Sequence, residues 1–396
     1  VPPYCVLQII PELETGGAER TTVDIAAALV AAGHRALVAS AGGRLVTELE
    51  ALGAKHITLP LATKSPWRIW RNAGTLARIV ERERVDLLHA RSRAPAWSTL
   101  IAARRTARPF VTTYHGIYKQ TNALKGLYNS VMVRGDVVIA NSRYTADLIA
   151  ERHPFAADRL TVIHRGSDLG GLAPHAVSDA RRNALRQAWG IAPETPVILN
   201  LARLTGWKGQ TVLIDALARL ASTNPDAAWT AILAGDDQGR RDYSQMLRAR
   251  IAAAGLADRI RLPGHCADVA AALALADVSV VASTEPEAFG RAAVEAQAAS
   301  VPIIATDLGG ARETVLAPPE VTEEARTGWR VPAGDASALA DALDEVLALD
   351  AGTRTDVTAR ALRHVSARFS REAMCGATLA IYDRLIDNCR AGSKHG

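Results

Sequence analysis

Ser283-Thr-Glu-Pro-Glu-Ala-Phe-Gly-Arg-Ala-Ala-Val-Glu295 follows an apolar run, Val278 to Ala282, that predicts a strand. The stretch begins as a Glu-rich turn, and Gly290 then opens an amphipathic helix carrying Glu295. A helix that starts at the C-terminal end of a parallel strand offers free backbone N–H groups and a positive dipole end to an anion. Glu287 and Glu295 beside it are strong acceptors for sugar hydroxyls. Phosphate on the amides and hydroxyls on the carboxylates together describe a sugar nucleotide.

Outward from this stretch, the second half of the chain repeats one rhythm. Strands are predicted at Val197 to Leu201, Trp229 to Ala234, Ile260 to Leu262 and Pro302 to Thr306, with a helix over Gln210 to Ala221. The first half has the same alternation. Its strands fall at Val6 to Ile10, Arg35 to Ser40, His56 to Leu59, Leu87 to Ala90, Phe110 to Tyr114, Val137 to Ala140 and Leu160 to Ile163. Apolar, β-branched strands separated by helical stretches indicate a parallel sheet covered on both faces. Asp136-Val-Val-Ile-Ala-Asn-Ser142 echoes Asp277-Val-Ser-Val-Val-Ala-Ser283, so the two halves are faintly similar. The rhythm breaks at Ser167-Asp-Leu-Gly-Gly-Leu-Ala-Pro-His175. We therefore expect an α/β protein of two doubly wound, Rossmann-like domains, residues 1–170 and 191–370, joined by 171–190 and facing across a cleft. Ligands in such sheets bind beyond the strand C-termini.

The composition, 48% hydrophobic and 22% charged over 396 residues, suits a soluble globular protein of two or three domains. Cys5, Cys266, Cys375 and Cys389 form no C-x-x-C pair and no cluster with histidine. That argues against a disulfide framework or a zinc site and fits a reducing cytoplasm. No apolar run reaches the length of a membrane span, and the N-terminus lacks a signal-peptide pattern. Charge is uneven: residues 1–170 hold 22 Lys+Arg against 14 Asp+Glu, +8, and the remainder −3. Such asymmetry points to an anionic surface or to an Arg-rich composition.

Several loops at predicted strand ends carry chemistry. Arg203-Leu-Thr-Gly-Trp-Lys208-Gly presents two cations that could hold a diphosphate, Arg as a fork and Lys as a point charge. Thr15-Gly-Gly-Ala-Glu-Arg20 is not the G-x-G-x-x-G dinucleotide fingerprint, and no acidic residue ends the second strand, which disfavours an NAD(P) enzyme. Gly16 and Gly17 let a ligand approach the backbone or simply form a tight turn. His115 ends one strand, and Asn141 with Ser142 ends another, as ligand or capping groups. Asp236-Asp237 reads better as a turn cap than as a metal site, and no metal is expected. In the helix predicted from Pro66, Trp67 and Trp70 recur beside Arg68, Arg71, Arg78 and Arg82. That pattern fits a helix lying on an anionic membrane or an ordinary helix with its tryptophans turned inward.

The Glu287/Glu295 segment resembles the Glu-x7-Glu motif of retaining, GT-B-fold glycosyltransferases of family 4, and Arg203 to Gly209 resembles their Arg-x4-Lys-Gly signature. Gly16 to Arg20 looks like the Gly-Gly-x-Glu-Arg loop of their first domain. The resemblance implies a hexose-type transfer from a nucleotide-diphosphate sugar to a hydroxyl of a glycan or lipid-linked acceptor, without a cofactor. Arg203, Lys208 and the amides of Gly290, Arg291 and Ala292 would hold the diphosphate, with Phe289 in the same segment. Glu287 would meet the transferred sugar, Glu295 the ribose, Gly264 and His265 the base, with UDP favoured over GDP, and His115 would lie near the reacting sugar. A helix at about 371–390 would pack back on the first domain. His89-Ala-Arg-Ser-Arg93 and Tyr114-His-Gly-Ile-Tyr118 look most like bacterial lipopolysaccharide or surface-glycan enzymes, which work in the cytoplasm, some peripherally on the inner membrane face. The other readings are a GT-B sugar-nucleotide epimerase and a non-catalytic sugar-nucleotide-binding protein.

Overall fold

A computed structural model describes residues 2–14, 16–118 and 122–392. The chain divides into two compact units, Val1–Gly166 with Arg371–Gly396, and Ser167–Ser370.

The first unit is built on seven strands: β1 Cys5–Ile9, β2 Arg35–Ser40, β3 Lys55–Thr58, β4 Leu87–Ala90, β5 Phe110–Tyr114, β6 Val137–Ala140 and β7 Leu160–Val162. Their order is β3-β2-β1-β4-β5-β6-β7, with every pair parallel. Alternate residues face opposite layers, as strand geometry demands. Leu7, Ile9, Leu88 and Phe110 pack on one face with Leu76, Ile79 and Val80 of helix Pro66–Glu83. Val6, Val38, Leu87 and Ile139 pack on the other with Val23, Ile25 and Leu29 of helix Gly17–Ala31. Helix Arg371–Gly392 completes that second layer through Met374, Ile381, Tyr382 and Ile386.

The second unit holds β8 Val197–Leu201, β9 Thr230–Ala234, β10 Ile260–Gly264, β11 Val278–Val281, β12 Ile303–Thr306 and β13 Trp329–Val331. All are parallel, in the order β10-β9-β8-β11-β12-β13. Residues 167–190 pack within this unit, where helix Asp179–Ala188 is clamped by Arg181, whose Nε and Nη2 donate to Asp268 at 3.0 and 2.8 Å. β13 is absent from the sequence expectation, because Arg330 interrupts it and leaves no apolar run of the kind that marks the equally short β7. The echo between the halves has a structural basis. Asp136 caps the start of β5 by accepting from Phe110 N at 2.8 Å, and Asp277 does the same for β8 at Val197 N, also 2.8 Å.

Candidate active site

In the second unit, the C-terminal ends of β8 and β11 bring the Arg203 and Glu287 segments together. The backbone of Thr284 donates to Trp207 O at 2.8 Å. Gly209 has φ +68, and a Cβ there would overlap the carbonyl oxygen of Ala282. Only glycine lets the two loops approach this closely. Lys208 Nζ consequently reaches Glu287 Oε1 at 2.7 Å, and the same oxygen accepts from Ser283 Oγ at 2.5 Å. Lys208 also lies 4.4 Å from the centre of the Trp207 ring. Both charged side chains are largely buried, at 14% and 16% exposure, so their attraction is less screened than at an open surface.

Arg203 stays exposed, its loop anchored by Gln210 Nε2 donating to Arg203 O at 3.0 Å. Helix Arg291–Ala298 starts at Gly290, φ 86, without a side-chain cap, leaving its first amides for an anion. Arg291 Nε donates to Glu295 at 2.6 Å. The structure therefore gathers Lys208, Ser283 and Glu287 into one cluster. Phe289, grouped by sequence with the donor-binding residues, differs: its ring is buried edge-on against Phe369, centroids 5.3 Å apart. Its side chain belongs to the core, and only its backbone is left for a ligand. Gly264 accepts from Gly235 N at 2.8 Å through its carbonyl, and His265 is exposed beside it. Asp236 and Asp237 accept from Gln238 N and Gly239 N at 2.7 and 2.9 Å, the geometry of turn caps. Among the described residues no cluster of His, Cys, Asp or Glu is arranged for a metal ion.

In the first unit, the ends of β4, β5, β6 and β7 adjoin a small cavity with a mostly apolar surface, lined by Ile139, Ile163 and Met374 together with Thr21, Arg91, Thr113, His115, Asn141, Arg165 and Thr378. His115 is held neutral, because burial, then the charges of Arg91 and Arg165, push its pKa well below the usual histidine value. Asn141 Nδ2 donates to His115 O at 3.3 Å, whereas Ser142 caps helix Arg143–Arg152 by accepting from Thr145 N at 3.0 Å. Gly16 caps helix Gly17–Ala31 with an extended backbone, and a Cβ on Gly17 would overlap the Arg165 guanidinium. Thr15 of the same loop lies outside the described residues. Arg91 lies within the His89–Arg93 segment without a role assigned to it there, and no motif marks Arg165. Only the parallel strand order brings them beside His115.

Two parallel α/β units with charged loops at their strand ends suit a sugar nucleotide, and comparison with known proteins supplies the class. The profile described as Glycosyltransferase Family 4 matches residues 15–170, and that of Glycosyl transferases group 1 matches residues 181–364. A D-inositol 3-phosphate glycosyltransferase of Jonesia denitrificans is 31% identical over 76% of this chain and 72% of its own length. The crystal structure of a glycosyltransferase from Rickettsia africae superimposes with a TM-score of 0.89 at 32% identity, covering 98% of this chain and 100% of that one. Anabaena HepE in complex with UDP and glucose gives 0.81 at 27% identity, covering 96% and 100%. The chain belongs to glycosyltransferase family 4, the retaining, nucleotide-sugar-dependent glycosyltransferases of GT-B fold.

Proposed function

We propose that this enzyme transfers a hexose-type sugar from a nucleotide diphosphate, with UDP favoured, to a hydroxyl of a glycan or lipid-linked acceptor in surface-polysaccharide assembly. The observation that carries the reading is the Lys208–Glu287–Ser283 cluster beside Arg203 and the uncapped helix start at Gly290. When the sugar leaves, negative charge builds on the diphosphate. Arg203, Lys208 and the amides of Gly290 to Ala292 meet that charge where it develops. Glu287, oriented by Ser283, accepts from the hydroxyls of the transferred sugar, and Glu295 from the ribose. The bond from the anomeric carbon to the diphosphate breaks as the acceptor oxygen bonds on the same face. The acceptor's proton passes to the departing diphosphate oxygen. Glu285 lines the same pocket as Glu287, and front-face displacement is the reading in which neither carboxylate is needed as a nucleophile. The surface-polysaccharide assignment is supported by the resemblance of the segments at His89 and Tyr114. The experiment is a thermal-shift screen of the full chain with UDP-, GDP- and ADP-glucose, followed by product analysis with glycan and lipid-linked acceptors. A shift with one nucleotide sugar and an α-linked product are expected. Release of free epimerised sugar, or no shift with any of the three, would overturn the reading.

A further inference from the structure

The Arg291–Glu295 pair is arranged against the stability of its own helix. Arg291 is the first residue of helix Arg291–Ala298, which starts at Gly290 without a side-chain cap and has no acidic residue in its first turn. A cation in that place opposes the positive end of the helix dipole. The pair also runs from Arg to Glu four residues on, the less favourable order for a helical ion pair. It is nevertheless tight, with Arg291 Nε donating to Glu295 Oε1 at 2.6 Å. An anion resting on the helix start reverses the cost of the cation, and a nucleotide diphosphate is such an anion.

The two ends of the pair differ in exposure, 45% for the Arg291 side chain and 13% for that of Glu295. A carboxylate this covered is costly without a partner, and Arg291 supplies one at Oε1. No other side chain among the described residues bonds the Glu295 carboxylate, so Oε2 is left to accept from a further donor. Side chains lean toward the N-terminus of their helix, which carries Glu295 back over its first turn. Four residues rise about 6 Å, about the distance from the α-phosphate of a nucleotide to the hydroxyls of its ribose. The helix start and Glu295 thus match the spacing of a phosphate and a sugar ring, provided the carboxylate is held still.

We propose that Arg291 is a positioning residue for the ribose of the donor. It fixes Glu295 so that Oε2 accepts from the ribose hydroxyls, and it thereby makes the enzyme select ribonucleotide over deoxyribonucleotide donors. The proposal rests on the transferase reading above, in which Glu295 meets the ribose, and adds the residue that sets this selectivity. The Arg291 side chain acts through Glu295, while its backbone amide keeps its place at the diphosphate. Replacing the side chain therefore alters recognition of the ribose and spares the contacts to the phosphates.

The test is isothermal titration of the full chain with UDP, GDP and ADP and with the 2′,3′-dideoxy form of each. The wild type should bind at least one of the three ribonucleotides at least about tenfold more tightly than its dideoxy form, the effect of one charge-assisted contact. Arg291→Leu and Arg291→Ala both keep the amide and suit a helix, so the result does not depend on one variant folding. Each should bind that ribonucleotide about tenfold more weakly than the wild type does, and its dideoxy form equally well. Glu295→Gln should show the same loss, and adding Arg291→Leu to it should cost nothing further. Equal losses for the ribose and dideoxy forms would place the guanidinium on the phosphates and overturn the proposal. Unchanged affinities, or losses that add in the double variant, would overturn it too. If the wild type binds a nucleoside diphosphate without preferring its ribose form, only the roles of Arg291 and Glu295 fall. If it binds none of the three, the donor reading falls and this proposal with it.

Discussion

Lys208 and Glu287 neutralise each other in the ligand-free protein, and this shapes what their replacement should do. Lys208→Ala removes a cation from the diphosphate and leaves Glu287 without its partner. Transfer should fall at least about 10²-fold, the usual effect of deleting one charge-stabilising donor; single-turnover rates near wild type would rule out the assignment. Glu287→Gln should act mainly on kcat, whereas Glu295→Gln should weaken binding of the sugar nucleotide and the free nucleoside diphosphate alike. Isothermal titration with the diphosphate separates them, and equal losses in both variants would refute the division of roles. Two histidines of the first unit predict a pH effect. Burial, then the charge of Arg91, holds His89 and His115 neutral well below the usual histidine range. The unfolded chain takes up those protons below about pH 6.5, while the folded one does not. Their contribution is unchanged above that pH, and stability falls below it by up to about 1.4 kcal/mol per pH unit for each ring. Denaturant midpoints at pH 7.5 and 5.5 should show this decline, flattened in His89→Gln; a parallel decline in the variant would count against it. Arg203, Lys208 and Glu287 were legible in sequence because their spacing sits in loops at strand ends. Arg91 was not, since a buried cation has no local mark until strand order sets Gln8 beside it.

Among the elements, helix Pro66–Glu83 departs most from an ordinary amphipathic helix. Its inward stripe is Asn72, Ala73, Leu76, Ile79 and Val80, and the tryptophans are not part of it. Trp67 and Trp70 are 67% and 55% exposed and stack on each other at 5.7 Å. Arg105 lies over Trp70 at 5.4 Å, and Arg68, Arg71, Arg78 and Arg82 are exposed on the same helix. Periodicity showed that stripes existed but not which one faced the core, because Trp suits either an interior or an interface. Exposed indoles beside arginines are what a helix lying on anionic lipid would present, and each basic residue would then add about 1 kcal/mol. The wild type should co-sediment with phosphatidylglycerol vesicles and be released by salt, since screening acts over about 10 Å at 0.1 M. Replacing the four arginines by glutamate should abolish sedimentation and spare nucleotide-sugar binding. If the wild type stays in the supernatant at low salt, this helix serves another purpose. The other strands were equally legible, the three-residue Leu160–Val162 among them; Trp329–Val331, broken by Arg330, was not.

At the scale of the molecule, the first unit is discontinuous in sequence. Met374, Ile381, Tyr382 and Ile386 close its second layer from the far end of the chain, and Tyr382 OH meets His89 Nδ1 at 2.5 Å. Burying a large side chain of this kind stabilises by about 1.5–3 kcal/mol, so together they approach the whole stability of a domain, about 5–15 kcal/mol. Ending the chain at Ser370 should therefore unfold the first unit and leave the second folded, with limited proteolysis cutting within 1–166 and sparing 167–370. A protease-resistant first unit would contradict this. Two doubly wound sheets were legible from alternation alone, but the partnership of the last helix with the first sheet rested on resemblance, since no local pattern names the surface a helix will cover. That partnership also orders the protein's birth. Domains usually fold as they leave the ribosome, from the N-terminus onward. Here residues 167–370 can close their core as one uninterrupted stretch, while the earlier-made unit waits with an uncovered apolar layer. At about 5–20 residues per second that wait lasts roughly 10–40 s, a window in which a nascent chain depends on chaperones for its solubility.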